Sequence, residues 1–397
     1  MGKFNNLITS WENIREFDLR PLRNAAQHPV KIALVGEPGC GRHTLADQMR
    51  CDPARPHNTT QTPLIFTDLQ SPEAALGANL IILITDSRRG WSDREQALLQ
   101  HWINAEKKVL VIKNLWHEAP EDKAASPQSL STGEHLLAGA LINPQFIAHS
   151  FVPSVLSLLP DQHVALGRQF PLFRQAIARR LIDDTCLSNA AYALSTGIAE
   201  AIPIFDVPLN VTDLIVLTKT QAFLAYKLGL TFGFSTNWQD YVAEFGSVLG
   251  AGFLWRQMAR LMVGLVPVWG LLPKVAISYA GTYVVGHSIL QWYLTGKNIS
   301  NQQIQALYQE ALHAGKSTAQ KLLQKVSNSG LKRITTNPLR RLPYFNKTSQ
   351  PTTSTPFADL KARFKIKKTD LPTKTCSHCH KTSAADASFC QYCGQTL

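Results

Sequence analysis

The stretch GEPGCGRHTL, residues 36–45, stands directly behind the apolar run VKIALV, residues 30–35. Glycines spaced this way let backbone N–H groups curl around a phosphate. A lysine after the last glycine reaches the outer phosphates, and a Ser or Thr hydroxyl beside it holds Mg²⁺. The frame G-x-x-x-x-G is intact as Gly36 and Gly41, with Pro38 and Gly39 between them. Arg42 occupies the lysine position and His43 the hydroxyl position, with Thr44 next. Arginine keeps the charge on a wider planar group, and imidazole is a poor ligand for Mg²⁺, which favours oxygen. The backbone cradle is kept and the side chains that normally use it are changed.

A second set of residues points to metal. CSHCHKTSAADASFCQYCGQTL, residues 376–397, spaces its thiols as Cys376-x2-Cys379, ten residues, then Cys390-x2-Cys393. Tetrahedral zinc takes four such ligands, two from each C-x-x-C knuckle, and a site filled by protein is structural. His378 and His380 compete as ligands, but four thiolates give the simpler closed site. A ribbon this short has almost no core and depends on its metal to fold. With Cys40, Cys51 and Cys186 scattered elsewhere, cysteine usage suits a reducing compartment.

The elements that must position the first site are legible as short apolar runs: KIALV at 31–35, PLIFT at 63–67, NLIILIT at 79–85 and KKVLVIK at 107–113. Buried parallel strands have this composition. GRHTLADQMR and WSDREQALLQHWINAE between them have the spacing of amphipathic helices, so an α/β, doubly wound sheet is expected.

This order of elements resembles the Ras-like P-loop GTPase superfamily over residues 28–160. Its D-x-x-G element would be Asp68-Leu69-Gln70-Ser71, with Ser in the glycine position, and its guanine-reading N-K-x-D would be Asn114-Leu115-Trp116-His117, keeping the Asn alone. The S-A-K element is at best Gly139-Ala140-Leu141, and switch I would fall in HNTTQT, where Thr59, Thr60 or Thr62 would supply its threonine. The resemblance implies GTP or ATP with Mg²⁺ at Gly36, Gly39, Gly41, Arg42, His43, Thr44, Asp68 and Asn114. The eroded motifs imply weak base selectivity and leave the enzyme question open, with a weak NTPase as one outcome.

From residue 160 the periods lengthen. Residues 168–205 read as two helices ending near Pro203. Residues 275–296, VAISYAGTYVVGHSILQWYLTG, carry no Asp, Glu, Lys or Arg over a bilayer-spanning length. LMVGLVPVWGLLP at 261–273 reads as half of a hairpin or an interfacial segment, and Gly246 and Gly250 make one G-x-x-x-G. Two readings stand, a membrane-embedded or membrane-bound hairpin and the buried core of a helical domain. IPIFDVPLNVTDLIVLTKTQAFLAYKLGL, 202–230, and ISYAGTYVVGHSILQWYLTGK, 277–297, resemble a bacterial family of uncharacterised helical domains that follow GTPase domains. That resemblance implies a membrane-linked architecture and no reaction.

The chain carries a formal net charge of +12. Residues 331–375 alone hold eleven Lys or Arg against Asp359 and Asp370 and read as a flexible basic linker able to approach anionic lipid or nucleic acid. The N-terminal stretch sustains no apolar run, so no secretory signal is expected, and Asn6 stands where a myristoylation signal has Ser or Thr. No Ser/His/Asp or paired-carboxylate constellation stands out. The expected organisation is an N-terminal arm, 1–27; a GTPase-like P-loop domain, 28–160; connecting helices, 161–205; an all-α, membrane-leaning domain, 206–330; the basic linker, 331–375; and a zinc ribbon, 376–397.

The expected function is a membrane-associated, GTPase-like regulatory or scaffold protein on the cytoplasmic side of the cell membrane, peripheral or integral, whose zinc ribbon recruits a protein partner. One alternative is an active NTPase with Arg42 in the lysine role. The other is a soluble cytoplasmic adaptor that binds nucleic acid through linker and ribbon.

Overall fold

The structure is a computed structural model, and it describes residues 19–115, 128–129, 135–200, 211–237, 271–296, 299–328, 373–377, 380 and 382–384. After helix α1, Arg20–Gln27, the chain enters β1, Ile32–Val35. Helix α2, Arg42–Arg50, follows the glycine loop and leads into a small hairpin of β2, Cys51–Asp52, and β3, Arg55–Thr59. Then come β4, Ile65–Thr67; β5, Leu80–Asp86; α3, Asp93–Asn104; β6, Val109–Asn114; β7, Gln128–Ser129; and β8, His135–Gly139.

The main sheet has the order β4-β1-β5-β6-β8-β7. All neighbours are parallel except β7, which runs antiparallel to β8. β1 and β5 have no exposed apolar residue because both faces are covered, which is why their sequences are continuous apolar runs. Alternate residues divide between two cores. Ile32, Leu34, Ile82, Ile84, Leu110 and Ile112 pack toward Phe151, Leu166 and Phe173. Ala33, Val35, Ile81, Leu83 and Val111 face Leu99 and Trp102 of α3. Helix α3 starts where Ser92 and Glu95 cap each other, a signal written in the sequence as S-x-x-E.

The chain leaves β1 toward β4 and leaves β5 toward β6, on the opposite side. Open α/β sheets bind ligands in the crevice at the carboxyl ends of strands where the connections diverge in this way. The glycine loop follows β1 and so occupies that crevice.

Beyond the sheet, a short helical stretch ends in α4, Val152–Leu158, and is followed by α5, His163–Gln169. The two helices expected over 168–205 are instead the end of α5, one tight turn at Pro171–Phe173, and a single helix α6, Arg174–Glu200. Pro171 stops α5, and no proline interrupts α6. Next come α7, Val211–Thr231; α8, Leu271–Thr295; and α9, Asn301–Asn328.

Helix α8 is the centre of this helical unit. Val285, Ile289 and Tyr293 pack with Ile182 and Cys186 of α6 and with Leu224 and Leu228 of α7, while Ala280 and Val284 pack with Ile304 and Tyr308 of α9. At Gly315 the backbones of α8 and α9 are so close that a Cβ would lie 2.8 Å from the Ala276 carbonyl oxygen. A buried polar seam adds specificity: Asn189 donates to Thr282 Oγ1 at 2.8 Å, and Ser278 Oγ donates to the Asn189 carbonyl at 3.1 Å.

The run 275–296 is therefore covered on several sides by helices of its own chain. Among the described residues no helix is long and apolar enough to cross a membrane. Residues 238–270, with Gly246, Gly250 and most of the 261–273 segment, lie outside the described residues, as does the linker up to residue 372. Near the C-terminus a second hairpin pairs β9, Thr373–Thr375, with β10, Thr382–Ala384.

Candidate functional site

The glycine loop turns through conformations that favour glycine at three places, with φ of 154° at Gly36, 82° at Gly39 and 111° at Gly41. Two of them are also crowded. A Cβ on Gly36 would meet the Ile84 carbonyl oxygen, and one on Gly41 would lie 2.8 Å from both Asn114 Nδ2 and Leu141 Cδ1. Among the described residues nothing lies within 4 Å of a Cβ on Gly39, so that side of the loop is open there to a ligand. The Cys40 amide closes a turn on the Glu37 carbonyl at 3.2 Å, and Gly41 caps α2 without a side chain, so the first amides of α2 have no side-chain acceptor at the cap. Backbone donors at a helix start, with the helix dipole behind them, form an anion cradle. The Cys40 thiol is buried under it, and burial pushes its pKa up, so it is a packing group.

Three of the side chains expected to use the cradle, Arg42, His43 and Asp68, make other contacts in this structure. Arg42 Nη1 donates to the Thr67 carbonyl at 2.6 Å, tying α2 to the end of β4. His43 is exposed and stacks on Phe66, with ring centroids 4.8 Å apart. Thr44 is half-buried on the next position of α2. Asp68 Oδ1 accepts from the amides of Gln70 and Ser71 at 2.8 and 2.9 Å, which makes it the cap of a local turn. A divalent cation needs several converging oxygen ligands. Mg²⁺ beside a nucleotide takes most of its oxygens from phosphate and water; of the side chains here, His43 and Asp68 are not placed as ligands, and Thr44 supplies the hydroxyl at this end of α2.

Asn114 has a structural task in the crevice. It is buried, its Nδ2 donates to the Cys40 carbonyl at 3.0 Å, and its Oδ1 accepts from the Leu141 amide at 3.2 Å. One side chain thus fastens the glycine loop to the loop after β8. Leu115 completes the join by donating to the Gly139 carbonyl at 3.1 Å. Trp116 and His117 lie outside the described residues.

The threonines named for switch I follow α2 and lie at its far end from the glycine loop. Arg50, its last residue, donates to the Thr62 carbonyl through Nε and Nη2 at 3.0 and 2.9 Å. Thr62 Oγ1 donates to the Gln169 carbonyl at 2.5 Å, and Thr60 Oγ1 does so at 3.4 Å. Eight residues of helix, about 12 Å at 1.5 Å each, separate them from the loop. The β2–β3 hairpin that follows α2 is likewise turned toward the helical unit, with Arg55 Nη2 donating to the Tyr293 carbonyl at 3.3 Å.

Two residues that the sequence reading passed over stand at the mouth of the loop. Arg88 is locked on Asp86, with Nη2 to Oδ2 at 2.6 Å, in the turn after β5. Its neighbour Arg89 reaches across the crevice to Glu37 of the loop, Nη1 to Oε2 at 3.5 Å. A pair of arginines directly behind a strand that ends at the switch point was the available signal.

Of the thiols assigned to zinc, Cys376 is described and buried, while Cys379, Cys390 and Cys393 lie outside the described residues. Among the described residues no cluster of three or more metal-ligating side chains is present. Cys376 follows β9 directly, and its carbonyl accepts from the His380 amide at 2.9 Å, so the hairpin encloses the first C-x-x-C.

No protein-family model matches the chain. The resemblance of 202–230 and 277–297 to a helical family accordingly has no match behind it. Two curated proteins are similar to part of the chain. GTPase Der of Serratia proteamaculans is 21% identical over 133 residues, 25% of this chain and 27% of that protein. GTPase Der of Pectobacterium atrosepticum is 21% identical over 127 residues, 23% of this chain and 26% of that protein. The chain thus spans about a quarter of the length of these relatives. With the parallel sheet and the glycine loop at its switch point, they support a P-loop GTPase-like domain followed by a helical region.

Proposed function

We propose that the chain is a GTPase-like regulatory or scaffold protein whose Gly36–Gly41 loop binds a nucleotide and does not turn it over efficiently. The observation that carries this reading is the three-glycine loop at the β1/β5 switch point, open at Gly39, beside an Arg42, His43 and Asp68 that are held in structural contacts. Backbone amides suffice to bind phosphate. Hydrolysis needs a positioned cation and metal ligands, which this set does not assemble. The engaged Arg42 weighs against the alternative in which it serves as the catalytic lysine.

The rest of the proposal concerns how such a domain is placed. The four thiols Cys376, Cys379, Cys390 and Cys393 would hold one structural zinc, and the β9–β10 hairpin around the first pair supports that assignment. The ribbon would recruit a protein partner. Contact with the cytoplasmic face of a membrane would be peripheral, through the basic linker 331–375, because the described part of the apolar run is packed inside the helical unit. Nucleic acid is the rival partner of the same linker.

The deciding experiment is an anisotropy titration of fluorescent GTP and ATP into the full chain, with and without Mg²⁺. Saturable binding supports the reading. No binding up to about millimolar nucleotide, equivalent to about 4 kcal/mol, overturns it and leaves the fold as a scaffold alone.

A further inference from the structure

We infer that the loop takes a diphosphate group without Mg²⁺, and that Arg89, drawn from Glu37, is the cation that neutralises it. The inference rests on the nucleotide-binding reading above and narrows it to a ligand class and a residue.

Three observations lead there. The part of a phosphate loop made of backbone amides serves the inner phosphates, whereas the lysine and the Mg²⁺ hydroxyl serve the outer ones. This chain keeps the first part, with Gly36, Gly39 and Gly41 at positive φ. The second part is occupied: Arg42 is on the Thr67 carbonyl and His43 is on Phe66. A third phosphate and its metal would therefore find neither Arg42 nor His43 waiting, while a diphosphate would find its amides.

A diphosphate in the cradle still carries charge that amides alone neutralise poorly. Two arginines stand nearest on the facing loop, and they are not equivalent. Arg88 is committed to Asp86 through a short two-pronged contact. The Arg89 side chain is largely exposed, and its contact among the described residues is with Glu37 at 3.5 Å, at the long end of ion-pair geometry. Glu37 belongs to the loop itself, so an anion in the cradle competes directly with its carboxylate for the same guanidinium. The Glu37–Arg89 pair then holds the cation at the mouth of the crevice until a stronger anion arrives. Arginine suits that exchange because its planar fork matches phosphate oxygens as well as carboxylate.

The test is calorimetric titration of the full chain with GDP, GTP and inorganic pyrophosphate, each in Mg²⁺ and in EDTA. The expected pattern is GDP binding at least as tightly as GTP and changing by less than about twofold when Mg²⁺ is removed. Arg89→Ala should weaken diphosphate binding about tenfold, the loss of one partly screened contact. Arg88→Ala should leave it within about twofold, and Glu37→Gln should tighten it. Pyrophosphate matching GDP would point to free diphosphate as the ligand, and tighter GDP binding to a nucleoside diphosphate; both agree with the inference. GTP preferred in a Mg²⁺-dependent way, or Arg89→Ala without effect, would overturn it while leaving nucleotide binding in place. If neither the wild type nor Glu37→Gln binds any of the three ligands, both the inference and the nucleotide reading fall.

Discussion

Replacing Asn114 by alanine tests the join between the glycine loop and the rest of the crevice. The side chain is 6% exposed and makes two hydrogen bonds, to the Cys40 carbonyl at 3.0 Å and from the Leu141 amide at 3.2 Å. Both partners belong to buried residues, so truncation strands one acceptor and one donor away from water. Each orphaned group costs about 1–3 kcal/mol. Partial relaxation and water entry reduce the sum, so about 2–4 kcal/mol is expected. The penalty should be local first, because the two loops are joined here by one side chain rather than by a strand ladder. Hydrogen exchange at the Leu141 amide reads it directly, with protection falling by roughly 30-fold or more. Asn114→Asp keeps the acceptor for Leu141 but sets a carboxylate oxygen against the Cys40 carbonyl. That variant should be destabilised near neutral pH and recover on acidification, when its protonated oxygen again donates. Unchanged exchange at Leu141 in Asn114→Ala, with an unfolding midpoint within about 0.5 kcal/mol of wild type, would refute the claim that Asn114 holds the loops together.

Gly41→Ala should cost more than Gly39→Ala, because both positions have positive φ but only Gly41 would drive its Cβ into Asn114 and Leu141. Backbone strain of about 1–3 kcal/mol is common to both, so a urea midpoint lowered equally by the two variants would contradict the packing described at Gly41. Burial lowers the pKa of His163 below 6.5, opposed first by the hydrogen bond of its Nε2 to the Leu156 carbonyl at 2.8 Å and then by Asp184 and Asp161, and helped by Arg180. The unfolded chain then takes up that proton first as pH falls through 6.5, so the native state loses stability below this value until His163 itself protonates. His163→Gln, whose amide can still donate to Leu156, should flatten the acid limb of a stability-versus-pH curve. An unaltered limb would mean His163 is not the group responsible.

Much of the α/β architecture could be read from the chain, and the reason is burial. β1, β5 and β6 are covered on both faces, so they had to be apolar runs. Helix α3 announced itself through Ser92 and Glu95. β8, HLLAG, and the hairpin strand RPHNT escaped because one is short with a polar start and the other carries a proline. The site was legible at its backbone, while the contacts its side chains make were not. Asn114 was read as a base reader from its place after a strand; its partners in the loops at 40 and 141 are remote in sequence and leave no signal there. Arg42 could be seen as a lysine replacement, whereas its partner Thr67 becomes a neighbour only once β4 pairs with β1. For 275–296, an apolar run of helical length fits both a bilayer and a packed helical core. In the structure the described helix α8 packs against α6, α7 and α9 of the same chain.

The glycines of a phosphate loop are usually taken as a sign that phosphate is bound, but here they do not all carry that meaning. Gly36 would need to be glycine with or without a ligand, since a Cβ would collide with the Ile84 carbonyl of β5. Gly41 is held to glycine by Asn114 and Leu141 in the same way. Both would persist in a scaffold that had abandoned nucleotides, because they are required by the fit of the loop against β5, β6 and the segment after β8. Gly39 is different. Its φ of 82° favours glycine with or without a ligand, but among the described residues nothing lies within 4 Å of its Cβ, so no packing neighbour demands a glycine there. Its open side is what a ligand approaching the backbone would use. The case for a working cradle therefore rests on the open backbone at Gly39 and on the Glu37–Arg89 pair, and not on the presence of the glycines themselves, each of which conformation or packing already requires.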